Sequence, residues 1–267
     1  MKILYLGDIM GPMGIEAVRR FLPDIIKEHS VDLVIAQAEN VSSGKGLTVE
    51  DYQTLKQLGI HGFSGGNWSL HLKETIQLLE NPSEPVVRPA NYPVGTPGQK
   101  YKYIETSKGR VLLVSLLGSI VGKDSGAKLD NPLKVIDEIL ESQSGVEKAS
   151  TVVNIHGDYS SEKIVMGHYL DGRVSMVIGD HWHVPTADAQ LLPKSSAHIT
   201  DVGMCGSMDS SLGIEFASVI PRWRDGIKTK NILATKGRLQ LNALLAEIDD
   251  KTGLATSVLQ IQRQTLH

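Results

Sequence analysis

Short apolar runs recur along the chain, separated by longer stretches in which apolar positions return at helical spacing. Ile3 to Leu6, Leu33 to Ala36, Gly62 to Ser64, Val152 to Ile155 and Val174 to Ile178 have the length and make-up of buried strands. Gly14 to Glu28, Val49 to Leu58, Leu70 to Glu80 and Pro132 to Ser142 read as amphipathic helices. In the first of these, Ile15, Val18, Leu22, Ile25 and Ile26 share a face. Thr48, followed by Glu50 and Asp51, suits a helix start, and Gly59 suits a stop. The alternation of strand and helix predicts an α/β fold.

Towards the carboxyl end, "GRLQLNALLAEIDDKTGLATSVLQIQ" admits a helix or a hairpin. Alternation of Leu239, Leu241, Ala243 and Leu245 with the turn "DDKTG" favours the hairpin. With "HITDV" and "ASVIP" it is expected to add strands to a second sheet, giving two central sheets flanked by helices. "NPSEPVVRPANYPVGTPG" carries five prolines and cannot be a regular element. It is a loop crossing the edge of the fold or a rim of the site, where Arg88 and Asn91 are candidate phosphate contacts.

Composition narrows the class. With 267 residues and 41% hydrophobic content the chain can bury a full core, and one domain over 1–267 is expected. A net charge of −3 and a pI near 6.3 supply no basic field for long nucleic acid, but a small nucleotide fits. Cys205 is the only cysteine, so no internal disulfide exists, and a loop position is expected for it. The chain enters a strand at once, with no signal-like segment, and no apolar run is long enough to span a bilayer. The cytoplasm is the expected compartment, with no membrane partner.

The residues just beyond the apolar runs add the chemistry. Gly7-Asp8, Glu39-Asn40, Gly66-Asn67, His156, and Asp180-His181 with His183 each follow a candidate strand. Ligands in open α/β sheets bind outside the carboxyl ends of strands, so these groups can converge. Carboxylate, amide and imidazole together suit Mn, Fe, Zn or Co. In extended chain His181 and His183 project to one side and can serve adjacent ions, and the two oxygens of Glu39 can bridge them. Two metals roughly 3.5–4 Å apart suit displacement at phosphorus. Taken singly, each residue has an ordinary packing or turn role; gathered in one crevice, so many polar groups are costly to desolvate without a cation. Asp158, Asp180 and Asp201 are candidates to fix the imidazole tautomers, and Trp182 either walls the site or packs. In "VSSGKG" the glycines suit a phosphate cradle with Lys45 over substrate, or a flexible turn with Lys45 in solvent. His29, His61, His168, His198 and His267 are left as structural or exposed.

The ordered segments "KILYLGDIMGPMG", "AQAENVSSGKG", "GGNWSLHLKE", "RPANYPVGTPG", "NIHGDYSSEK", "YLDGRVSMVIGDHWHVPTAD" and "HITDVGMCGSMDS" resemble the calcineurin-like metallophosphoesterase superfamily. Within it they are similar to the bacterial YmdB-like 2′,3′-cyclic-nucleotide 2′-phosphodiesterases. The resemblance implies an α/β/β/α sandwich and a homo-oligomer. It also implies two divalent or trivalent ions, Fe and/or Mn with Zn as a further option. One ion is then held by Asp8, Glu39, Asn40 and His183, the other by Glu39, Asn67, His156 and His181, with a bridging hydroxide as nucleophile.

One departure bears on catalysis. The family's Gly-Asn-His reads here Gly66-Asn67-Trp68, so the histidine expected to protonate the leaving group is replaced by an indole that does not titrate usefully. General acid catalysis typically contributes about 10²–10⁴-fold. Asn40, Trp68 at the acid position, and His71 are therefore the candidate catalytic residues, His71 being either a substitute acid or a solvent-facing residue in a first helical turn. His156-Gly157-Asp158 stands where the family shows His, a small residue and Glu. The function so implied is phosphodiester hydrolysis on a small nucleotide, a 2′,3′-cyclic nucleotide by resemblance. The alternatives are a metal-bearing nucleotide sensor with little catalysis, and a metal-dependent phosphomonoesterase.

Overall fold

The computed structural model describes residues 1–122 and 128–266. The chain opens with β1 (Lys2–Leu6), β2 (Asp8–Ile9), α1 (Gly11–His29), β3 (Leu33–Gln37), α2 (Val49–Gln57), β4 (Gly62–Ser64) and α3 (Lys73–Glu80). It continues with β5 (Tyr101–Ile104), β6 (Val111–Leu117), α4 (Pro132–Ser142), β7 (Ser150–His156), α5 (Ser160–Leu170) and β8 (Met176–Asp180). The last elements are β9 (Gln190–Leu191), β10 (Ala197–Ile199), β11 (Met204–Ser207), α6 (Phe216–Asp225), β12 (Leu239–Ile248) and β13 (Ala255–Gln264).

Two mixed sheets result. In the first, β1 lies parallel to β3, β3 parallel to β4, and β12 antiparallel to β1, with β13 and β11 also pairing with β12. In the second, β6, β7, β8 and β10 run parallel, with β5 and β9 antiparallel at the two edges. Side chains alternate across each strand, which sorts β1 into two cores. Ile3 and Tyr5 join Leu33, Leu113, Val152, Met176 and Leu244 between the sheets. Leu4 and Leu6 face the other way, against Val18 and Leu22 of α1, Leu55 of α2 and Leu79 of α3. The outer face of the second sheet is covered by Ile136 and Ile139 of α4 and Met166 and Leu170 of α5. The α/β/β/α sandwich expected from sequence is the architecture observed.

Helix boundaries follow local chemistry. Asn131 caps α4 by accepting from the N–H groups of Leu133 and Lys134, and Thr48 caps α2 by accepting from Asp51 N at 3.2 Å. Helix α1 begins earlier than its apolar spacing suggests, because Pro12 has the fixed φ that suits a first turn. Helix α3 begins at Lys73 rather than Leu70, since residues 67–70 are spent on a turn.

Three expectations are corrected. "ASVIP" is not a strand: it lies in α6, which buries Ser218 and Val219 and ends at Gly226, whose φ of 68° supplies the left-handed C-cap. The hairpin β12–β13 joins the first sheet beside β1, not the second, and only "HITDV" contributes to the second sheet, as β10. Cys205 sits in strand β11 rather than a loop, and burial pushes its thiol up to about 12. His267 lies outside the described residues.

Candidate metal centre

Strands β3, β4, β7 and β8 are parallel within their sheets and end near one another, so the residues after them meet in one crater. His156 closes β7 with its ring fully buried. Its Nδ1 lies 2.7 Å from Asp180 Oδ1, and a carboxylate only accepts, so the proton is fixed on Nδ1. Nε2 then points to two oxygens, Glu39 Oε1 and Asn67 Oδ1, each at 3.0 Å. The His181 ring packs edge-on against the His156 ring, with centroids 4.5 Å apart. One ligand atom from each of Glu39, His156 and His181 fits within a 4.8 Å cluster able to hold a metal ion.

A second group adjoins the first. His183 Nε2 is 3.3 Å from Asn40 Oδ1 and 3.7 Å from Asp8 Oδ1. Asp8 is fully buried, and its Oδ1 has no hydrogen-bond partner among the described residues. Its other oxygen accepts from His181 N at 3.2 Å. A buried carboxylate oxygen without a donor is costly unless a cation meets it. Metal–nitrogen and metal–oxygen bonds of about 2.0–2.2 Å put neighbouring ligand atoms roughly 3–3.5 Å apart, and the spacings here fall close to that. The residues present therefore fit a cation, with Asp8, Asn40 and His183 adjoining the cluster of Glu39, His156 and His181.

Charge in the crater is arranged accordingly. Burial, then the Asp180 carboxylate, hold the Asp8 carboxyl well above the usual carboxylate range. Burial works against protonating His156, but Glu39 and Asp180 outweigh it and carry the imidazole well above its ordinary value. Burial, with His156 and His183 beside it, presses His181 down to about 2, and burial also lowers His183.

The turn that presents the two histidines is not the extended chain expected. Strand β8 stops at Asp180, and His181 and His183 take φ values of 101° and 64°, which non-glycine residues rarely adopt. Lys163 holds this turn from below. Only 1% exposed, it donates to Asp180 O at 2.7 Å and Asp201 Oδ2 at 2.9 Å, and its Nζ lies 4.2 Å from the Trp182 ring centroid. Trp182 N also donates to Asp201, and its Nε1 donates to Asp158 O, so Trp182 walls the turn. Asp158 Oδ1 is 3.4 Å from His181 Nε2, and His183 Nδ1 is 3.2 Å from Leu212 O.

Trp68 is half-buried directly after Asn67, and its backbone N–H donates to Glu39 Oε2 at 2.7 Å. His71 is exposed and lies outside α3, edge-on to the Trp68 ring at 5.2 Å. Arg88 and Asn91 are not phosphate contacts. Both are buried, Arg88 donating to the carbonyls of Gly98, Pro89 and Thr96. Asn91 bonds the backbone of Leu117 and Asp130. Together they brace the proline-rich loop.

Sequence reasoning missed Tyr5, Gln37, Asn154 and Lys163. Tyr5 OH, Gln37 Nε2 and Asn154 Nδ2 donate to Asp180 Oδ2 at 3.0, 3.1 and 2.6 Å. For Tyr5, Gln37 and Asn154 the available signal was a polar residue inside an otherwise apolar strand, and for Lys163 a cation on the buried face of α5, where burial demands a partner.

Two helix-flanked mixed sheets with a carboxylate, amide and imidazole crater at their strand ends define a metallophosphoesterase-type protein. The model of the YmdB-like protein family matches residues 4–261, and the chain belongs to that family. It is 33% identical over 261 residues to the 2′,3′-cyclic-nucleotide 2′-phosphodiesterase of Bacillus subtilis (strain 168), covering 98% of this chain and 96% of that protein. A crystal structure of a hypothetical protein from Thermus thermophilus superposes with a TM-score of 0.88 at 37% identity, over 99% of both chains. A crystal structure of a phosphatase from Mycoplasma pneumoniae gives 0.91 at 30% identity, covering 99% of this chain and 93% of that one.

Gly66 offers a direct test of the crater's packing. A Cβ there would lie 2.4 Å from Glu39 Oε2 and 2.6 Å from His156 Nε2, both held by other bonds. Gly66→Ala is expected to weaken metal binding about 10–100-fold, the range for disturbed ligand support, while circular dichroism stays unchanged. Metal must also displace protons that His156 and Asp8 retain to higher pH than usual. Affinity measured by chelator competition should therefore fall as pH falls, and a pH-independent affinity would contradict this assignment.

Proposed function

We propose that this protein is a dinuclear metal-dependent phosphodiesterase acting on a small phosphodiester, a 2′,3′-cyclic nucleotide in the first instance. The observation that carries the reading is the convergence of seven donor residues on one crater, with a buried carboxylate oxygen that has no hydrogen-bond partner among the described residues. Membership of the YmdB-like family and the names of its relatives support phosphoester hydrolysis as the chemistry.

In this reading Asp8, Asn40 and His183 hold one ion, Asn67, His156 and His181 the other, and Glu39 serves both. The mixed donor set favours Fe or Mn, with Zn acceptable. When bound, the ions lower the pKa of water and neutralise charge at phosphorus. The chain supplies the rest. Asp180 keeps the His156 proton on Nδ1 and so leaves the Nε2 lone pair facing inward. Lys163 and Asp201 keep the strained His181–His183 turn in place. Trp68 cannot hand a proton to the leaving oxygen, because an indole N–H does not titrate usefully. Substrates whose leaving oxygen needs little protonation are therefore favoured, and a sensor role with slow turnover is the competing reading that Trp68 itself supports.

We also assign residues 1–267 to one domain, in keeping with an inter-sheet core drawn from both halves of the chain. A single buried thiol, which needs no oxidising compartment, supports a cytoplasmic location. No helix among the described residues is long and apolar enough to cross a membrane. Self-association is supported by α6, where Phe216, Ile220 and Trp223 are exposed, Trp223 at 83%, with Ile227 following.

The metal-loaded protein should hydrolyse 2′,3′-cyclic nucleotides and bis-p-nitrophenyl phosphate faster than p-nitrophenyl phosphate, with Glu39→Gln and His181→Ala abolishing turnover. Trp68→His should raise the rate on poor leaving groups by about 10²-fold or more. A wild type that binds metal but is inert on all three, with Trp68→His active, would favour the sensor; preference for the monoester would favour a phosphomonoesterase. For self-association, light scattering should show a multimer that Trp223→Asp shifts towards monomer, and a monomeric wild type would refute it.

A further inference from the structure

Trp68 does more than vacate an acid position, because two neighbours turn its ring into an occupied surface. Lys45 Nζ sits over the ring, 4.2 Å from its centroid, and the His71 ring packs against it in a T-shaped arrangement at an interplanar angle of 83°. Lys45 is exposed. Both partners of this contact hang on the centre itself. Trp68 N donates to Glu39 Oε2. The loop bearing Lys45 is fastened by Gly46 N to Glu39 O and by Asn40 Nδ2 to Gly44 O. Ser43, Gly44 and Gly46 all take positive φ, so this loop is a defined turn that sets Lys45 above the ring.

We propose that Trp68 is the platform for the substrate's nucleobase, and that Lys45 leaves the indole face to pair with the phosphate when nucleotide enters. The inference rests on the phosphodiesterase reading only in placing a phosphate beside Asp8, Glu39 and the three imidazoles. Magnitudes favour the exchange. An exposed cation over an aromatic ring is held by a factor of only about 2–5. A base stacked on an aromatic side chain is held by a factor of about 5–150, and a phosphate anion gives the freed ammonium a stronger partner than the ring. The substitution of indole at this position thus exchanges proton donation for base recognition. The substrate class it selects is a phosphodiester bearing an aromatic base, rather than a sugar or glycerol phosphodiester.

The test reads binding, not turnover. Metal-loaded full-length protein is titrated calorimetrically with adenosine 3′-monophosphate and with ribose 5-phosphate. The wild type should prefer the nucleotide by about tenfold or more. Trp68→Leu should erase that preference with little change for ribose 5-phosphate, and Trp68→Phe should keep most of it. Lys45→Ala, at an exposed position that leaves folding intact, should weaken both ligands by a similar factor, and Lys45→Glu should weaken them further. A preference that survives Trp68→Leu, or ribose 5-phosphate binding indifferent to Lys45→Glu, overturns the proposal. Protein inert on every phosphodiester yet showing a Trp68-dependent preference would sink the catalytic reading and keep this one. An active enzyme without base preference would do the reverse.

Discussion

A carboxylate buried between two sheets must be answered by donors from both, and Asp180 is the point at which this protein meets that requirement. Tyr5 and Gln37 reach it from the first sheet, Asn154 and His156 from the second. Each bond is made to an ionisable group with no access to water, where hydrogen bonds to charge are strong and a missing partner is expensive. The consequence is geometric. With Asp180 satisfied, the two sheets have one relative setting, His156 has one tautomer, and the residues that come after β3, β4, β7 and β8 arrive at fixed separations. The crater is therefore built on the same interaction that registers the sandwich.

Much of this was legible in the sequence because burial writes a regular signature. Strands β1, β3, β4 and β7 carry near-continuous apolar runs, and α1, α2 and α4 carry apolar stripes with a proline, threonine or asparagine at the entry. The donors beyond those strands could be read for the same reason, since each stands within a few residues of the place where the apolar pattern breaks. The misreadings come from segments whose pattern serves two purposes. "ASVIP" has the residue types of a strand, yet only Ser218 and Val219 turn inward, and the cap at Gly226 completes a helix. Local pattern also could not say which sheet β12–β13 would join, because the pairing with β1 is set across the length of the chain. Arg88 was misjudged because its burial depends on loop carbonyls that no local pattern reveals.

The His181–His183 turn shows how the fold bears a local cost for its chemistry. Two residues held at positive φ are unfavourable by themselves, and the turn persists because Lys163, Asp201 and Asp8 bond its backbone from beneath. Strain of this kind lets two imidazoles separated by one residue serve different neighbours, His181 beside His156 and His183 beside Asn40. An extended strand would have aimed both rings the same way.

The pairing of β1 with β12 ties Leu4 to Leu245 and Leu6 to Ala243. During synthesis the first strand therefore leaves the ribosome long before its antiparallel neighbour exists, and α1 and β3 must protect it in the meantime. Late, non-local strand closure is slow and leaves an open edge exposed to misassembly. The crater fed by β3 and β4 therefore takes its final form only after β12 has paired with β1.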